Sequence, residues 1–141
     1  MRIEIIKFFE LPKKEKVIIA LSFITFFIAW ILFKILSLKK LISFIQLLSF
    51  HFLSEKKKFF SLERIFYLHS KSIDKFFKPS CLVKCISVKL LFSLYGFRSS
   101  IQSGIFFKEG KLKGHAWINA EGKDFLSENE NIAKYTKSFT F

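Results

Sequence analysis

Hydrophobic and polar positions follow two rhythms along this chain, a helical one before Gly96 and a strand-like one after it. Glu10-Leu11-Pro12 makes a good helix start, with proline in the first turn. From Val17 to Phe33 there follow 17 residues without a charge. At the helical rise that run measures roughly 26 Å, against a hydrocarbon core of about 30 Å. If Lys34 snorkels, the run extends through Leu38 and becomes just long enough to cross. Lysines flank both ends, so charge gives no orientation, and a late start without a small-residue cleavage site fits a signal peptide poorly. Three readings stand for residues 17–38: a buried core helix, a helix lying on or in the membrane, and a span.

The next segment, LISFIQLLSFHFL, reads as a second helix packing on the first and ends at the triplet Lys56-Lys57-Lys58. His51 lies in its apolar run and reads as a core or rim histidine without a chemical role. A third helix starts at Ser61, a plausible N-cap, with Glu63 in the first turn and an apolar stripe of Ile65, Leu68, Ile73 and Phe76. On this reading His69 turns toward the polar side, near Lys71 and Asp74. Lys78-Pro79 stops that helix, and Ser80 can cap a fourth that runs from Cys81 to Gly96. Beyond Gly96 the runs IQSGIFF, KLKGHAWIN and KDFL are separated by KEG and AEG, with glycine where tight turns need it. Helices followed by a small antiparallel meander predict an α+β protein.

At 141 residues the chain has room for one domain with a real core, 1–141, made of an N-terminal helical part (1–58) and a second part (59–141). The net charge is +13, which raises nucleic acid or anionic lipid as partners. The basic residues are spread almost evenly, however: 11 against 4 acids in residues 1–60, and 13 against 7 in residues 61–141. Without an arginine-rich or basic-aromatic cluster, lysine reads as solvated surface and no nucleic-acid partner is expected. The two cysteines, Cys81 and Cys85, lie on adjacent turns of one helix, where a bridge would constrain almost nothing, so a disulfide-stapled secreted fold is not expected. With only three histidines and no Cys-x-x-Cys pair, a structural zinc site lacks ligands, and neither metal nor cofactor is expected.

Cys81 opens its helix, where backbone N–H groups and the positive end of the dipole favour a thiolate. Cys85, one turn deeper, reads as a small buried hydrophobe. In a strand through GHAWINAEG, His115, Trp117 and Asn119 share one face while Ala116 and Ile118 share the other. A histidine there can face a cysteine held at a helix N-terminus and supply the nucleophile and base of a cysteine hydrolase. The base needs an orienting acceptor soon after the turn at Glu121-Gly122. Asp124, Glu128 and Glu130 are the candidates, and spacing favours Glu128.

The set Leu11-Pro12, Pro79-Ser80-Cys81-Leu82-Val83-Lys84, Leu90-Leu91 with Gly96, and Gly114-His115-Ala116-Trp117 with Glu121-Gly122 resembles the transglutaminase-like leader peptidases of lasso-peptide biosynthesis. The specific part is CLV…G…HAW…G, with 34 positions from Cys81 to His115. The resemblance implies a papain/transglutaminase-like fold used as a cysteine protease, in the cytoplasm or at the inner face of the cell membrane; the alternatives are an acyl transferase on the same fold and a non-catalytic membrane-associated binding protein. Such a protease removes the leader from a lasso precursor peptide, working with a separate leader-binding protein and a macrolactam-forming cyclase. It assigns Cys81 as nucleophile and His115 as base. Two positions depart from the family pattern. Lys84 stands where arginine is usual, keeping charge but losing the planar fork. Ser127 stands where the acidic member is typical, with Glu128 beside it.

Overall fold

A computed structural model describes residues 11–52, 59–125 and 135–141. Helices α1 (Lys13–Ile35), α2 (Leu38–Phe52), α3 (Leu62–Phe76) and α4 (Cys81–Leu94) come first. Strands β1 (Ser99–Lys108), β2 (Lys111–Ala120), β3 (Lys123–Phe125) and β4 (Thr136–Thr140) follow. The fold is α+β, helices first and sheet afterwards, as the change of rhythm at Gly96 predicts.

The helix starts are set by local chemistry. Pro12 accepts at its carbonyl from the Glu15 and Lys16 amides, at 2.9 and 3.2 Å. Ser61 and Ser80 cap α3 and α4, their hydroxyls accepting from the Arg64 amide at 3.2 Å and the Val83 amide at 3.4 Å. Caps of this kind stabilise a helix by about 1 kcal/mol each. Glu15 also receives both prongs of the Arg64 guanidinium, at 2.9 and 2.8 Å, which ties the first turn of α1 to that of α3.

Helix α4 is the axis of the molecule, with every residue from Val83 to Ser93 buried. Helix α1 covers it with Ile18, Ser22, Thr25, Phe26 and Ala29, a stripe at helical spacing, and α2 adds Leu41 and Ile45. On the other side lies the antiparallel sheet, ordered β3-β2-β1-β4. Two hairpins join β1, β2 and β3 through Glu109-Gly110 and Glu121-Gly122, and all four residues have positive φ. Those are the two-residue turns whose twist suits adjacent strands. Ile101, Ala116, Ile118, Ala120 and Phe125 form the face packed on the helices. Strand β4, at the far edge beside β1, was not anticipated from the sequence.

His69 is a correction. It lies fully buried between α3 and α4, because it sits one turn after Ile65 and one before Ile73, inside the apolar stripe. Phe76, assigned to that stripe from the sequence, is 65% exposed instead. His51 is exposed on α2.

Candidate functional site

Cys81 is the first residue of α4, directly behind the Ser80 cap, and is half-buried. Its sulfur therefore stands beside the amides of the first helical turn, groups without partners inside the helix. Cys85 is 7% exposed, and burial pushes its thiol well above the usual range, so it remains a protonated, packed thiol. Both cysteines are free. They line a cavity of about 20 Å³ between α4 and the sheet, closed by Lys84, Ala116, Ile118 and Phe125. That is room for about one water molecule, so it forms the floor of a site rather than a substrate pocket.

The residues of β2 that line this cavity with Cys81 are Ala116 and Ile118. Alternation turns the neighbouring His115 to the opposite face of the strand, with Trp117 and Asn119. The sequence led us to expect His115 facing Cys81, and the register does not give that arrangement. Burying the compact apolar set Ala116, Ile118 and Ala120 against α4 fixes the phase of the strand, and a shift of one residue would expose all three. On its own face, His115 packs against the Tyr135 ring with 5.5 Å between centroids. Tyr135 also touches Phe106 at 4.8 Å and Trp117 at 5.9 Å. Trp117 is fully buried, and its Nε1 has no hydrogen-bond partner among the described residues. Opposite His115 in β1 is Gly104, where a Cβ would lie 2.8 Å from Tyr135 Cβ and 3.0 Å from Trp117 Cη2, so only glycine admits this aromatic layer.

Of the candidate acids, Asp124 pairs with Asn119, whose Nδ2 donates to Asp124 Oδ1 at 2.7 Å. Asn119 is four strand residues from His115, roughly 13 Å at the strand rise, so Asp124 stands too far away to orient that imidazole. Glu128 and Glu130 lie outside the described residues. No group of three metal-ligating side chains occurs among the described residues.

Two polar arrangements on α4 escaped the sequence reading. Lys84 is buried and donates to Asp74 Oδ2 at 2.6 Å. His69 Nε2 lies 2.7 Å from Ser87 Oγ, which is 3.2 Å from Thr25 Oγ1, and Thr25 donates to the Ser22 carbonyl at 3.1 Å. Running the donors in one direction satisfies the whole chain: His69 Nε2–H to Ser87, Ser87 to Thr25, Thr25 to the carbonyl. The hydroxyl residues inside otherwise apolar α1 and α4 were the available signal.

Residues 62–140 match the family model described as the transglutaminase-like superfamily, more than half of the chain. The chain belongs to the transglutaminase-like superfamily. The matched segment starts with α3 and ends in β4, so it contains both Cys81 and His115. Neither a characterised protein nor a solved structure gives a match. A transglutaminase-like domain generally carries cysteine peptidase or acyl-transferase chemistry, and of the two thiols here Cys81 is the more exposed.

Proposed function

We propose that this transglutaminase-like protein is a cysteine peptidase that removes the leader from a lasso-peptide precursor, with Cys81 as the nucleophile. The observation that carries the reading is the placement of Cys81 at the start of α4, accessible and capped by Ser80, while Cys85 is buried beneath it. The Cys81 thiolate attacks the carbonyl that ends the leader and forms a tetrahedral oxyanion, which the first amides of α4 stabilise. Collapse expels the amine of the core peptide with a proton and leaves a thioester. Water then cleaves the thioester, releasing the leader acid and the thiol.

The base and acid in this mechanism is His115. His51 stands on the outer surface of α2 and His69 is held by Ser87 inside the helical layer, which leaves His115, the chain neighbour of cavity-lining Ala116, for the role. Its role requires the imidazole to meet the sulfur in the working enzyme. We assign the third member to Glu128, the acid that spacing along the sequence favours. The reaction belongs in the cytoplasm, where the precursor is made. A separate leader-binding protein would present the precursor, and a cyclase would consume the new amino terminus.

The test is to identify a precursor peptide and a leader-binding protein among the neighbouring reading frames, incubate the protein with them and read the products by mass spectrometry. Cys81→Ala should leave the precursor intact, Cys85→Ala should cut it, and the leader should appear as a free acid. A leader amide in place of the acid would identify the acyl transferase. Cleavage by Cys81→Ala would overturn the assignment. His115→Ala and Glu128→Gln should lower kcat and alter its pH profile without changing the melting temperature by more than a few degrees.

A further inference from the structure

Helix α1 has two faces of equal apolarity and opposite fate. One is the stripe buried against α4 and α3. The other carries Val17, Ala20, Ile24, Phe27, Ile28, Ile31 and Ile35 at helical spacing, all exposed. Ile24 is 54% exposed, Phe27 46%, Ile31 47% and Ile35 73%. Only 28% of the most apolar part of the helix is buried, so the domain leaves most of its apolar surface uncovered. Helix α2 adds exposed Leu38, Phe44, Leu47 and Phe50. An apolar surface of this extent on a soluble domain marks a binding face.

We propose that this face docks the protein on an anionic lipid bilayer, with α1 lying parallel to the surface rather than crossing it. The charges define the partner. The uncharged stripe is bounded by Lys13, Lys14 and Lys16 at one end and by Lys34, Lys39 and Lys40 at the other. Trp30 lies on its flank, 47% exposed, with Lys34 Nζ over its ring at 6.0 Å. Apolar side chains framed by lysines, with an aromatic at the rim, suit the boundary between acyl chains and anionic headgroups. The fold settles the orientation. Helix α3, bearing Glu63, Arg64, Lys71, Asp74 and Lys75, packs along α1 and is tied to it by the Glu15–Arg64 pair. A spanning α1 would carry those charges into hydrocarbon, where each costs several kcal/mol. This inference is independent of the proposed chemistry, and its test does not read activity.

Flotation of the full chain is measured with vesicles of phosphatidylcholine, alone and mixed with phosphatidylglycerol. We expect binding at least tenfold stronger to the mixed vesicles, weakened by salt, and a loss of at least tenfold in Ile24→Gln/Ile31→Gln, whose changes lie on the exposed face and leave melting unchanged. In Trp117→Phe, lipids brominated near the headgroup should quench Trp30, and added protease should cut tags at both termini of vesicle-bound protein. Three results would overturn the proposal. These are protection of one terminus (a span), equal binding to both vesicle types, and absence of binding with dimerisation abolished by the double variant, which would assign the face to a second copy.

Discussion

Replacing His69 by glutamine should remove a specific acid sensitivity from the fold. His69 is fully buried, and desolvation, followed by the nearby charge of Lys84, lowers its pKa from 6.5 to about 3. Its Nε2 is engaged by Ser87 and its Nδ1 has no partner among the described residues, so a second ring proton would meet no acceptor. The sign of the effect follows. Above about pH 6.5 the ring is neutral in both folded and unfolded chains, and its titration contributes nothing to the pH dependence. Below that pH the unfolded chain binds a proton that the folded protein refuses, and stability falls by about 1.4 kcal/mol per pH unit. By pH 5 the loss is roughly 2 kcal/mol, before most carboxylates begin to titrate. Glutamine keeps an amide donor for Ser87 and does not titrate. Denaturant unfolding of wild type and His69→Gln between about pH 7 and pH 5 measures the difference, since shared carboxylate effects cancel. Wild type should lose about 2 kcal/mol more than the variant over that interval. Parallel loss in the two proteins would refute the buried, neutral assignment.

Other consequences follow from the same geometry. A thiol reagent should modify Cys81 in the native protein and reach Cys85 only after denaturation; two native reactive thiols would contradict the packing of Cys85. Gly104→Ala should cost about 1–3 kcal/mol in unfolding experiments, because the new Cβ meets Tyr135 Cβ at 2.8 Å and the Thr136 carbonyl at 3.0 Å and must push β4 away. Gly114→Ala, whose nearest neighbour is the Gly104 carbonyl at 4.0 Å, is its control and should stay within about 0.5 kcal/mol of wild type. Arg64→Lys keeps the charge but loses the fork on Glu15, and since Arg64 is 42% exposed the loss should be about 0.5–1 kcal/mol by thermal denaturation.

The elements that the sequence made legible are those governed by neighbours in the chain. Ser61, Ser80 and Gly96 mark their helix ends, and the Glu-Gly pairs at 109–110 and 121–122 mark their hairpins, because caps and positive-φ turns are decided within a few residues. Strand β4 is governed instead by β1, more than thirty positions away, and its short polar-aromatic run carries no comparable local signal. The same division runs through the site. Cys81 was legible because a helix start is local, whereas the direction of His115 depends on which alternate set of β2 is buried. Both sets were candidates, since Ala116, Ile118 and Ala120 are small or aliphatic while Trp117 supplies a large apolar surface to the other. The structure resolves this by burying both: α4 takes the aliphatic set, and Tyr135 packs on the side that carries Trp117 and His115. A two-sided sheet removes the hydrophobic asymmetry that lets alternation predict facing. Ala116, which lines the Cys81 cavity and precedes the side of β2 that carries Trp117, is where a larger side chain should perturb Cys81 reactivity first.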